Sequence, residues 1–266
     1  MNNLVFGKYI PLDSPIHKMD PRAKILAMLF MLISVFLPAG WIGYGIIALV
    51  MVVVIKVSKI DYKLIIKAFK PMLFMMLFLL IINIISINEG TLLISIGFIH
   101  IYLEAIIQTL FIATRLILMI MITTVLTVTT KPLDLTLGIE YLLNPFKKIG
   151  VPAHEIAMMI SIALRFIPTI IEETMRIMNS QKSRGVDFEE GKLKEKVLAI
   201  VSLIVPLFSV AFQRADELAN AMEARGYIPS AKRTRYKKLK YETRDYILVF
   251  GAIIILVAMI ILAFVI

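Results

Sequence analysis

Apolar residues run along this chain in long blocks, and short polar, proline- or glycine-containing breaks mark where each block begins and ends. Asp20-Pro21 has the form of a helix start, with Asp as the cap and Pro at the first helical position. It opens a predicted span to about Leu37. Pro38-Ala39-Gly40 is a tight break, Trp41 stands where an interfacial aromatic is expected, and a second span runs to about Val57. A basic loop with Lys56, Lys59, Lys63, Lys67 and Lys70 follows, and Pro71 opens a third span to about Ile87. Asn88 to Tyr102 contains two glycines and alternates with period two, which predicts an external loop with a short hairpin. The fourth span lies between Glu104 and Thr130. The last, from Tyr246 to Ile266, has 21 residues and no charge. At about 1.5 Å per residue it reaches roughly 31 Å, the thickness of a hydrocarbon layer.

Between the fourth and fifth spans the pattern changes. Apolar residues keep helical spacing but share the segment with many charges, so the stretch is not a linker. Lys131 to Leu143 predicts a short interfacial helix. Asn144-Pro145 and Gly150-Val151-Pro152 punctuate the chain, and a helix from Ala153 runs towards Pro168, which kinks rather than ends it. Two segments then follow one plan: a proline, an amphipathic helix of about 25–30 Å, and a small residue, an Arg and a Gly to close it. The first runs from Pro168 to Ser183-Arg184-Gly185, the second from Pro206 to Ala224-Arg225-Gly226. In the second, apolar residues at 207, 208, 211, 212, 215, 218, 219 and 222 make one continuous stripe. The expected fold is therefore an all-α integral membrane protein with about five transmembrane helices and a cytoplasmic helical domain inserted before the last one. The expected division is 1–130 with four spans, 131–243 as the inserted domain, and 244–266 as the final span.

Composition agrees with the pattern. The chain of 266 residues is 59% apolar and 18% charged, against about 45–50% and about 25% in soluble domains. Cysteine is absent, which excludes disulfides, thiolate metal sites and cysteine nucleophiles. The first 20 residues are too polar for a secretory signal. Of the 29 Lys and Arg residues, 28 fall at the start of the chain, between spans two and three, or between Lys131 and Arg244. By the positive-inside rule the N-terminus and the 131–244 region are expected in the cytoplasm, with the C-terminus outside. Topology explains the net charge of +10 without nucleic acid. The run Lys232 to Lys240, six basic residues in nine, suits anionic lipid headgroups next to a span.

Candidate chemistry is sparse. Gly185 to Leu193 approaches a phosphate-binding loop, but it has one residue too many between glycines and Leu193 where magnesium needs a hydroxyl. His154-Glu155 begins like a zinc-protease helix, but Met158 replaces the second ligand. No cofactor, metal or catalytic group is expected. Arg115 is the one charge deep in a span; Asn83, Gln108 and threonines are its candidate partners, and interhelical hydrogen bonding accounts for it as well as a functional role does. Methionine clusters at 72–76 and 119–121 serve either as filling or as an adaptable surface.

The paired helix ends carry the functional signal. A terminal Gly suits a left-handed position just past a helix, leaving Arg184 and Arg225 at the last helical residue. One such Arg is explained by the helix dipole, worth about 0.3–1 kcal/mol. Two copies, 41 residues apart, suit two similar acidic pockets on partner subunits, and the planar guanidinium can grip a carboxylate in bidentate fashion.

At these residues the sequence resembles the transmembrane T component (EcfT) of energy-coupling factor transporters, a branch of the ABC importers. The resemblance rests on Tyr9-Ile10-Pro11-Leu12-Asp13-Ser14-Pro15-Ile16-His17 with Asp20-Pro21-Arg22, on Leu164-Arg165-Phe166-Ile167-Pro168, on Gln181-Lys182-Ser183-Arg184-Gly185, and on Ala221 to Tyr227. It covers essentially the whole chain; Ser183 stands where the family's motif often has Ala. It implies two cytoplasmic ATP-binding subunits that each receive one Arg-bearing helix end. It also implies a membrane-embedded S component that binds a vitamin or similar micronutrient. Rival readings are the permease subunit of an ordinary ABC importer, which binds substrate itself, and a self-contained secondary transporter. The latter would want inverted repeats and mid-membrane carboxylates, which the sequence lacks. An intramembrane enzyme lacks its nucleophile and ligands.

Overall fold

A computed structural model describes residues 9–87, 90–96, 99–188, 190–228 and 238–265. The order of elements is α1 (Pro15–Lys18), α2 (Pro21–Phe36), α3 (Gly40–Ser58), α4 (Tyr62–Ser86), β1 (Leu92–Ile96), β2 (Ile99–Tyr102), α5 (Leu103–Thr129), α6 (Pro132–Leu143), a 3-10 helix (Asn144–Ile149), α7 (Ala153–Ser183), α8 (Leu193–Ala224) and α9 (Thr243–Val265). Among the described residues every regular element is a helix apart from one hairpin, in which β1 and β2 pair antiparallel with Ile96 opposite Ile99. Part of the basic run, 232–237, and Glu189 of the near phosphate loop lie outside the described residues.

Among the described residues six helices, rather than the five expected spans, are long and apolar enough to cross a membrane: α3, α4, α5, α7, α8 and α9. The difference has two sources. With 16 residues, α2 reaches only about 24 Å, just short of a hydrocarbon core. In α7 and α8 the prolines do not mark the starts of separate helices. Pro168 and Pro206 are interior to helices of 31 and 32 residues, so each is about 46–48 Å long rather than 25–30 Å. The apolar stretches upstream of the prolines bring both within the length and composition of a span. The expected start at Pro71 is likewise corrected: α4 begins nine residues earlier, capped by the Asp61 carboxylate, which accepts the Lys63 amide at 3.0 Å. Lys63, Lys67 and Lys70 therefore lie on its first turns and not in a loop.

The chain divides into two compact units, Met1–Ile139 with Leu239–Ile266, and Glu140–Lys238. In the first, the final helix packs together with the N-terminal ones. Its core takes Ala27, Met31 and Val35 from α2, Tyr44, Ile47 and Met51 from α3, Leu118 and Ile122 from α5, and Ala252 and Met259 from α9. Spacings of three, four and seven place each set on one helix face. Small residues let backbones approach, as is usual between membrane helices. A Cβ added at Gly43 of α3 would lie 2.6 Å from the Ala39 Cβ and 2.7 Å from the Met259 Cε of α9. Outside this core α4 keeps large apolar side chains exposed, among them Leu73, Phe74, Phe78 and Ile85. Of the methionine clusters, Met119 and Met121 pack on the core while Met75 is exposed.

In the second unit α7 and α8 pack on one another, joined by Glu173, whose carboxylate lies 3.5 Å from Arg214 of α8 and 3.5 Å from Arg176 one turn away. His154, the residue without a second zinc ligand, has Nδ1 3.0 Å from the Glu140 carboxylate.

Candidate functional site

The two Arg-Gly helix ends have the same backbone closure, bond for bond. In α7 the Gly185 amide donates to Lys182 O at 3.0 Å and the Val186 amide to Gln181 O at 3.0 Å. In α8 the Gly226 amide donates to Glu223 O at 2.8 Å and the Tyr227 amide to Met222 O at 2.9 Å. Each is a Schellman closure, which satisfies the last helical carbonyls and needs a left-handed residue just past the helix. Gly185 has φ +86 and Gly226 has φ +69. A Cβ at either would meet nothing within 4 Å, so the demand for glycine is purely conformational.

The closure also fixes where each arginine sits. Arg184 and Arg225 are the C-caps, with φ and ψ of −90 and 9 in one and −88 and 9 in the other. Each helix therefore ends one residue earlier than the sequence suggested, at Ser183 and Ala224, and the arginine stands just past its last helical residue. Both are exposed, as are Ser183 and Ala224 before them. Among the described residues neither guanidinium meets a carboxylate. Two cations on near-identical backbones are thus held out to solvent at the negative end of a helix dipole. The small residue before each Arg keeps the flank open; the Ser183 hydroxyl folds back onto Asn179 O at 3.1 Å.

Arg115 belongs to a different arrangement. Its Nε donates to the Tyr44 hydroxyl of α3 at 3.1 Å, and its guanidinium lies 5.9 Å from the centre of the Phe36 ring. The expected partner Asn83 instead donates to the Thr109 hydroxyl at 2.9 Å. Tyr44 went unnoticed in the sequence because it reads as one more aromatic in an apolar run, and 71 residues separate it from Arg115.

Comparison with known proteins decides the family. The profile of a family described as cobalt transport protein, CbiQ, matches residues 13–236. The chain belongs to the CbiQ family. Curated relatives agree over nearly full length. It is 42% identical over 255 residues to the energy-coupling factor transporter transmembrane protein EcfT of Bacillus subtilis, with 96% of each chain covered. It is 43% identical over 260 residues to the protein of that name from Lactococcus lactis, with 98% of each covered. With the Streptococcus thermophilus protein of that name it shares 44% over 245 residues, 92% of this chain and 93% of the other. As a CbiQ-family protein of the EcfT type, this is a multi-pass membrane subunit of a transporter.

Proposed function

We propose that this protein is the coupling subunit of an energy-coupling factor importer. Its two Arg-tipped helices dock on two cytoplasmic ATP-binding subunits, and ATP-driven motion of those subunits passes through it to a membrane-embedded substrate-binding S component for a vitamin or other micronutrient. ATP binds to the partners, and this chain carries no cofactor of its own. The N-terminus and the 140–238 unit face the cytoplasm, in keeping with the clustering of lysine and arginine, and the C-terminus lies outside.

The carrying observation is the repetition of one geometry. A helix dipole accounts for a cation near a helix end, but not for two exposed guanidiniums on matching Schellman closures that meet no carboxylate among the described residues. Each fits an acidic groove through charge-assisted, bidentate bonds. Motion is carried if the docked tips have two packed arrangements that nucleotide biases differently.

Co-purification tests this. From cells holding the partner subunits, tagged wild type is expected to bring two ATP-binding chains and a small membrane protein. The Arg184→Glu/Arg225→Glu variant should insert normally and lose the ATP-binding chains. Equal recovery of those chains with the variant would remove the arginines from the coupling role, and a protein that comes alone in both cases would favour the self-contained transporter.

A further inference from the structure

Three charged residues of the first unit are buried where chains seldom hide charge without cause: Asp20 at 6% exposure, Lys24 at 5% and Asp245 at 1%. All three converge on one turn, Asp20-Pro21-Arg22-Ala23-Lys24, at the start of α2. The Asp245 carboxylate, on the first turn of α9, accepts the Asp20 amide at 2.8 Å with one oxygen and the Glu242 amide at 2.8 Å with the other. Lys24 Nζ donates to Thr129 O at 2.9 Å, to the Thr130 hydroxyl at 3.3 Å and to His17 O at 3.3 Å. The Asp20 carboxylate holds the Arg22 guanidinium at 2.8 and 3.0 Å, and that guanidinium lies over the Tyr241 ring at 4.2 Å. Gly138 of α6 leans on the same turn: a Cβ there would stand 3.2 Å from the Pro21 Cβ and 3.4 Å from the Arg22 nitrogen.

Helix capping explains only part of this. The Asp20 carboxylate caps α2 by accepting the Arg22 amide at 2.8 Å, and neither Lys24 nor Asp245 is needed for that. What the other groups share is their place along the chain. Segment 140–238 is covalently attached to the membrane helices at two points, the exit after α5 through α6 and the return into α9. Thr129, Thr130 and Gly138 flank the exit; Tyr241, Glu242 and Asp245 flank the return. Both are fastened to the same turn of α2.

We propose that the Asp20–Lys24 turn is a rigid joint through which movement of the 140–238 segment is delivered to the membrane helices, with Lys24 and Asp245 as its positioning residues. The proposal rests on the ATP-driven reading above. A displacement at either attachment then moves α2, α5 and α9 together, because carboxylate-to-amide and ammonium-to-carbonyl bonds shielded from water have no solvent competitor to replace them.

The test uses the assembled complex in liposomes, with ATP hydrolysis and substrate uptake measured on the same vesicles. Lys24→Met and Asp245→Asn should keep hydrolysis within about twofold while uptake falls by about fivefold or more, the size of a typical lost coupling. Lys24→Arg, which keeps the donor, should recover much of the uptake. Parallel loss of hydrolysis and uptake in assembled complexes would reduce both residues to a folding role, and unchanged uptake would remove them from the path. The chain has no native cysteine, so a Pro21→Cys/Gly138→Cys pair gives a second measurement that does not depend on weakening the joint. A rigid joint tolerates that disulfide and uptake persists after oxidation; uptake lost on oxidation and regained on reduction would show a hinge and overturn the proposal. Wild type without ATP-dependent uptake beside its partners would instead reject the coupling function itself, and the joint with it.

Discussion

Replacing Gly226 with alanine isolates one physical quantity. At φ +69 the residue sits in the left-handed region, and a Cβ there has open space around it, so the substitution adds backbone strain and no clash. That strain is about 1–2 kcal/mol for an L-residue. Borne by a closure that opens locally, it raises the open population about 5- to 30-fold. The reporter is the Tyr227 amide, whose bond to Met222 O at 2.9 Å exists only while the closure is formed. Hydrogen exchange of the protein in lipid nanodiscs should show Tyr227 protection falling by that factor in Gly226→Ala and by less in Gly226→Asn, since asparagine tolerates the left-handed region. Gly45, exposed within α3 with nothing within 4 Å of an added Cβ and an ordinary φ, is the control; alanine there should stabilise slightly. Equal protection at Tyr227 in all three proteins, or alanine matching asparagine, would refute the claim that conformation alone requires the glycine.

Tyr44→Phe should cost about 1–3 kcal/mol, because it strips the Arg115 Nε of its acceptor within the helix bundle; thermal melting in detergent checks this, and an unchanged midpoint would mean that Arg115 finds another partner freely. His17 gives a pH dependence. Its ring binds Ser14 Oγ at 2.7 Å and Ile10 O at 3.1 Å, and burial, aided by nearby Lys24, holds its pKa below the ordinary histidine value against the pull of Ile10 O and Asp13. The folded state thus takes up its proton later than the unfolded chain, so stability is full above about pH 6.5 and declines as pH falls below it. Melting between pH 7.5 and pH 5 should show the decline in wild type and a shallower one in His17→Gln; equal slopes would exclude His17 as the source.

The membrane character and the Arg-Gly ends were legible in the sequence because both are local. Uncharged runs need no partner to be recognised, and a Gly after an Arg at a helix end encodes its own closure. Asp20-Pro21 likewise announced the start of α2, and the alternation before Tyr102 announced the hairpin. What could not be read was anything fixed by distant chain. Asp245 looks like an ordinary interfacial acid until the Asp20 amide, 225 residues away, is found on its carboxylate. Lys24 reads as one more cytoplasmic-side cation, and only the carbonyls of His17 and Thr129 reveal it as a buried donor. Tyr44 was hidden in the same way. Pro71 and Pro206 misled as helix starts for a physical reason: each, like Pro168, which was expected to lie within a helix, forfeits one backbone bond, a loss that a long, packed helix absorbs.

Each Arg-tipped helix carries one interior proline, the point at which a helix bends most readily. Pro168 leaves the carbonyl of Leu164 without its helical donor, and Pro206 does the same for Ser202. From proline to arginine the arm is 16 residues in α7 and 19 in α8, or about 24 Å and about 28 Å. A bend of about 10° at the proline swings the first tip through about 4 Å and the second through about 5 Å. An equal bend at each proline therefore displaces the two tips by unequal amounts, although the ends themselves are alike.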